Sequence, residues 1–263
     1  AYMNVWMYVI REFEDAIDDC TTSSIDNNYD AAHAWDEGVA FYAGSLEGTT
    51  ADDSDGLDDG RMPFRLAEKS CANIATCGAN GGETTGVTQV NTALLPLFAE
   101  GARLLERGEC GLVRPIVDKI VSLMTVPLVQ GSLRYAFKIG MLESDRSQKN
   151  AAEGATFSAA VLPLVHHCNA ASATVVSDNL KFGLFPTGGV ADTARYSDFA
   201  AVKAAFEDVY ACLGITCAQV GGLTGVAAAA ACTHQSAVIA GYVPGSDVTQ
   251  HNQIDLDQRD IET

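Results

Sequence analysis

In the stretch Ala32-His33-Ala34-Trp35-Asp36-Glu37-Gly38, one imidazole and two carboxylates fall within about one helical turn. On a helix His33 shares a face with Asp36 at i+3 and Glu37 at i+4, so nitrogen and oxygen donors can meet a single ion. Di-iron helical bundles use a comparable Glu-x-x-His spacing. Hard oxygen donors with one imidazole suit iron, manganese or zinc better than a soft metal. Glu12 and Asp15, early in the chain, and Glu153 in its second half are the acids that could complete such a site. A structural alternative uses the same residues: Glu37 and Glu153 would tie helices together by pairing with Arg11 and Arg134. The acids after His33 would then simply favour a helix N-terminus.

Other chemistries lack their residues. There is no Gly-x-Ser-x-Gly nucleophile elbow and no phosphate-cradling Gly-x4-Gly-Lys loop. His166 and His167 are adjacent, so on a helix they point about 100° apart and cannot share an ion; a histidine at a helix C-terminus is the simpler reading. His234 and His251 stand apart from any candidate ligands. The residues point to metal binding and not to catalysis, so no enzyme activity is expected.

The bulk charge agrees. Sixteen Lys and Arg against 34 Asp and Glu give a net charge of −18, which excludes nucleic acid, since no basic stripe exists to neutralise phosphates. It also disfavours anionic membrane surfaces, whereas cations are concentrated by such a field. The most apolar run, Val220 to Ala231, is too short to cross a bilayer, and no membrane insertion is expected. Eight dispersed cysteines without a Cys-x2-Cys pair predict disulfides in an oxidising, extracytoplasmic compartment, not a zinc site. Cys71–Cys77 and Cys212–Cys217 are the nearest pairs, although helical geometry could send each cysteine to a distant partner. No basic signal segment precedes the first apolar stretch, so an exported chain would be a mature form or an excised part.

The elements that would position these groups are helical. Met3 to Asp19 carries Val5, Trp6, Val9, Ile10, Phe13, Ala16 and Ile17 at helical spacing. Asp30 can cap a second helix running through His33 and Phe41 to Leu46. An acidic loop, 48–60, follows. Further helices are expected at Pro63–Asn73, Thr88–Arg107 and Asn150–His167, with a glycine turn at 78–82. Two more are expected between Cys110 and Leu142, broken near Pro127 to Gly131. An irregular excursion, 169–197, precedes helices at Phe199–Leu213 and Val220–Cys232. The fold class is all-α.

Glu37-Gly38-Val39-Ala40-Phe41 echoes Glu153-Gly154-Ala155-Thr156-Phe157, Cys71 to Cys77 echoes Cys212 to Cys217, and Arg11 could correspond to Arg134, all in the same order. This suggests two pseudo-symmetric helical repeats, about 1–120 and 121–235, packed into one disulfide-stabilised bundle. A single domain over 1–245 would be followed by a polar acidic tail, 246–263.

The text from His33 through Trp35-Asp36-Glu37-Gly38 to Gly48, then Ala67 to Cys77, and more loosely Ala152 to Pro163, resembles the algal iron-assimilation family, also described as low-iron-inducible periplasmic proteins. The resemblance covers about residues 5–235. It implies an extracytoplasmic protein of algae or related protists, in the periplasmic space, at the cell surface or secreted, that binds iron, or another divalent or trivalent metal, without catalysis. It also implies ligands at His33, Asp36 and Glu37, with Glu153 at the matching second position. The second copy has Lys149 for His33 and Ala152 for Asp36, which argues against a second equivalent site. The competing reading is a structural or assembly module of an extracellular coat or filament. The expected partners are a metal cation, then cell-surface proteins or further copies of the chain.

Overall fold

A computed structural model describes residues 2–22, 29–44, 62–183, 198–227 and 230. The expected amphipathic opening is α1, Tyr2–Thr22, which buries Trp6, Val9, Phe13, Ala16 and Ile17 along one stripe. It packs against α2, Tyr29–Ala43. α2 starts one residue before Asp30, the expected cap. α3, Pro63–Ile74, has proline in its first turn, where a missing N–H costs nothing, and ends at left-handed Ala75 (φ 54°). The turn beyond it, with Gly78, Gly81 and Gly82 all at positive φ, returns the chain to α4, Gln89–Glu106.

α5, Val113–Met141, is one helix of 29 residues where a break was expected. Pro127 sits inside it, in the stretch 123–133 where every residue is buried. α5 as a whole packs against α1, α3, α4, α6, α7, α8 and α9, and the burial of its middle outweighs the cost of one interrupted backbone hydrogen bond, about 3 kcal/mol. α6, Gln148–Cys168, is capped by Ser147, whose hydroxyl accepts from the Asn150 N–H at 3.2 Å. His166 and His167 are both exposed in its last turn.

Two further expectations fail. The supposed excursion opens with a helix, α7, Ala170–Leu180. The Asn169 side chain caps it by accepting from the N–H groups of Ala171 and Ser172, and Ser172, Ala173, Val176 and Leu180 form its buried stripe. α8 spans Phe199–Glu207. The helix expected from Val220 is absent over the described residues 221–227. Instead the four-residue α9, Cys217–Val220, stops at Gly221 (φ 72°), and the chain is tied to the end of α3 by Gly222 N–H to Ile74 O (3.2 Å) and Thr224 N–H to Asn73 O (3.1 Å). A side chain at Gly221 would meet the Ile74 carbonyl at 2.3 Å, so only glycine permits this approach.

The described residues hold no strand, only isolated bridges at Cys77. One continuous apolar cluster reaches from Trp6 to Val220. Cys71–Cys77 is a disulfide as expected. Cys212 bonds to Cys168, not Cys217, joining α6 to the turn after α8, and Cys20 bonds to Cys110, fastening the end of α1 to the start of α5. Cys217 is disulfide-bonded as well. The cysteine correspondence between the halves therefore does not hold, since Cys71 closes a local loop and Cys212 a distant one. The glycine correspondence has a packing basis: a Cβ at Gly38 would strike the Phe13 ring at 2.7 Å, and one at Gly154 would lie 3.0 Å from Tyr135 Cβ, so each glycine brings two helices close. Leu46, the acidic loop 48–60, Cys232, His234, His251 and the tail 246–263 lie outside the described residues.

Candidate metal centre

The phase of α2 is set by Trp35. Its ring is fully buried against Phe13 at 4.4 Å between centroids, and its indole N–H donates to the Phe98 carbonyl at 3.0 Å. With Ala31, Ala34, Trp35, Gly38 and Tyr42 turned inward, His33 and Asp36 are left exposed and Glu37 half-exposed. His33 Nε2 lies 3.2 Å from Glu37 Oε1, the i,i+4 pairing expected from the spacing.

A donor not anticipated from the sequence stands beside them. Tyr8 of α1 packs edge-on against Phe41 of α2, with 4.6 Å between ring centroids. The Glu12 carboxylate, one turn along α1, is its nearest acid. Glu12, first by hydrogen bonding and then by its charge, raises the Tyr8 phenol above its ordinary range, with burial and then the charge of Glu37 adding to it. Glu12 itself is only 7% exposed. Because α1 and α2 pack side by side, Tyr8 with Glu12 and His33 with Glu37 and Phe41 form two i,i+4 series along one seam.

The five sequence-derived ligands do not converge. Glu153 lies on α6 at the rim of a separate cleft between α3, α5 and α6, 4.0 Å from the Lys149 ammonium. Among the described residues, no three His, Cys, Asp or Glu side chains are grouped closely enough to hold a metal ion. The alternative pairing of these acids with Arg11 and Arg134 is not found either. Arg11 pairs with Asp15 at 3.5 Å, which takes Asp15 out of the candidate set, and Arg134 lines the α3/α5/α6 cleft. The contacts of Glu37 and Glu153 run along their own helices because His33 and Lys149 each stand four residues earlier. Tyr8 was missed because a lone tyrosine on an amphipathic helix carries no spacing signal. Its proximity to Phe41 is a tertiary fact.

Three disulfides among the described residues with a further bonded cysteine at Cys217, an all-helical core and an acidic seam define a class, the disulfide-tied helical proteins of oxidising compartments. Residues 3–227 match the family of low iron-inducible periplasmic proteins, and this chain belongs to it. It is accordingly an extracytoplasmic protein, and no described helix is long and apolar enough to cross a membrane. No curated protein and no solved structure matches the chain.

Proposed function

We propose that the protein binds iron outside the cytoplasm and takes part in iron assimilation without catalysing a reaction, using Tyr8, Glu12, His33 and Glu37 as donors. The observation that carries the reading is the seam itself: a phenol packed across α1 and α2 near a buried carboxylate, beside an imidazole–carboxylate pair. Phenol, carboxylate and imidazole are the oxygen-rich set that suits iron. The charges of Glu12 and Glu37 near the phenol favour a cation. A bound ion would displace the phenol proton of Tyr8 and balance a Glu12 carboxylate that is otherwise costly to bury. Tyr8 and His33 are 41% and 61% exposed, the former over the whole residue and the latter over its side chain, so an ion arriving from solvent can reach both. Asp36 lies on the exposed side of the same turn, as an outer carboxylate that attracts the ion without closing on it.

The test is iron content after equilibration and desalting, by elemental analysis, for the wild type, His33→Ala/Glu37→Ala and Tyr8→Phe. The double variant should lose most bound iron while keeping its helical circular dichroism. Tyr8→Phe should abolish the visible phenolate-to-iron absorption. Full iron stoichiometry in the double variant removes the proposal.

A further inference from the structure

The cleft at whose rim Glu153 sits has a volume of about 330 Å³, within the range of roughly 300–1,000 Å³ found for small-molecule sites. Its floor is apolar, with Leu66 and Ile74 from α3 and Leu128 from α5. One wall is a stacked aromatic pair, Tyr135 and Phe157, with centroids 5.7 Å apart and planes inclined by 11°. The wall depends on Gly131, where a Cβ would come within 2.6 Å of the Phe157 ring.

The polar lining is unevenly committed. Gln130 donates to Thr76 Oγ1 and to the carbonyls of Gln219 and Val220. Ser70 and Thr156 donate to carbonyls of their own helices, and so does Asn73. Two cations are left over. Lys69 of α3 and half-buried Arg134 of α5 have no hydrogen bond or ion pair among the described residues, although Arg134 lies 5.8 Å from the centroid of the Tyr135 ring. In a chain with 34 acidic and only 16 basic residues, two cations without a carboxylate partner in one cleft are conspicuous. The single acid there, Glu153, has Lys149 at 4.0 Å to offset it, so the local surplus is positive.

We propose that this cleft binds a small organic anion with a flat apolar body. Its carboxylate is held by the Arg134 fork and the Lys69 ammonium, and its body lies between the aliphatic floor and the Tyr135–Phe157 wall. A guanidinium offers two parallel N–H donors matched to a carboxylate, and flat rings gain from offset or edge contacts with the aromatic pair. The site is separate from the α1/α2 seam and does not rest on iron binding.

Isothermal titration of the metal-free protein with three probes of one shape tests it: 3-phenylpropionate, its neutral alcohol 3-phenyl-1-propanol, and zwitterionic phenylalanine. The acid should bind, the other two at least about tenfold more weakly. Losing one charged hydrogen-bonding partner at a partly exposed site corresponds to about tenfold in affinity, so Arg134→Gln and Lys69→Gln should each weaken the acid by about that factor. Lys119→Gln, an exposed residue about 22 Å from Arg134 along α5, should change nothing, and Glu153→Gln should tighten the acid slightly. Added salt should weaken binding through screening. Equal binding of acid and alcohol would reduce the cleft to an apolar patch. Preference for phenylalanine with loss in Glu153→Gln would make it a zwitterion site. Either result overturns the proposal, as does absence of acid binding up to about 10 mM, or binding insensitive to Arg134→Gln.

Discussion

Replacing Gly101 by alanine should destabilise the protein and disturb the seam together, although the new methyl group lies on α4, away from the candidate donors. A Cβ built at Gly101 would lie 2.0 Å from Cζ2 and 2.2 Å from Cη2 of Trp35, against ordinary carbon contacts of about 3.5–4.0 Å. The indole cannot swing aside cheaply, because it is fully buried, packed on Phe13 and bonded to the Phe98 carbonyl. Glycine to alanine within a helix gains about 1 kcal/mol. Overpacking costs about 1–3 kcal/mol, and an indole N–H pulled off its carbonyl and left buried costs about another 1–3 kcal/mol. The net is a loss of about 1–5 kcal/mol, measurable by urea unfolding followed by tryptophan fluorescence. Because Trp35 fixes the phase of the helix that carries His33 and Glu37, iron content should fall in the same variant under native conditions. Gly111→Ala is the control, since a Cβ there meets nothing within 4 Å. A Gly101→Ala protein as stable as the wild type would refute the claim that Trp35 is locked in place.

Other outcomes follow from the cross-links and the buried acids. Cys20 and Cys110 are 90 residues apart and Cys71 and Cys77 only 6, so on unfolded-chain entropy replacing the first pair by alanine should cost about 4–5 kcal/mol and the second about 2 kcal/mol. Thermal unfolding that ranks the pairs in the opposite order would show native-state effects in control. Glu68 is raised above the usual carboxyl range, first by burial and against the hydrogen bonds it accepts from Asn91 and the Thr88 N–H. Its folded pKa exceeds its unfolded one, so its contribution is fully present below the unfolded value and is lost as pH rises through the folded value. Glu68→Gln should therefore be more stable than the wild type at neutral pH and lose that advantage on acidification. A variant weaker at neutral pH would mean that the carboxylate's hydrogen bonds outweigh its desolvation.

Periodicity made α1, α3, α4 and α6 legible because each has a polar side, and a helix with one wet face writes its period into the sequence. α5 breaks that rule in its middle, where 123–133 is buried on every side. With no polar face there is no period to read, and Pro127 then looks like a stop. α7 was obscured differently, inside the stretch 169–197 whose Gly and Pro residues read as an irregular excursion, whereas the stripe Ala173, Val176, Leu180 and the Asn169 cap decide for helix. Local rules failed in the opposite sense after Val220, where an alanine-rich run reads as helix but Gly221 and Gly225 hold positive φ and the backbone bonds to α3. The disulfides show the same limit, since the short Cys71–Cys77 spacing survives as a bond and the equally short Cys212–Cys217 spacing does not.

For the seam, sequence spacing was sufficient within a helix and insufficient between helices. His33 and Glu37 meet because four residues make about one turn, and no tertiary information is needed for that. Glu153 was grouped with them by an assumed symmetry between halves, yet a residue's neighbours are set by which helices pack, and α6 brings Glu153 to the α3 side of α5. Tyr8 entered because Gly38 admits the Phe13 ring, which draws α1 and α2 close enough for Tyr8 to touch Phe41. A bulkier residue at position 38 would push the helices apart and move the phenol and Glu12 away from the imidazole. Gly38 is thus the residue on which the proposed donor set depends.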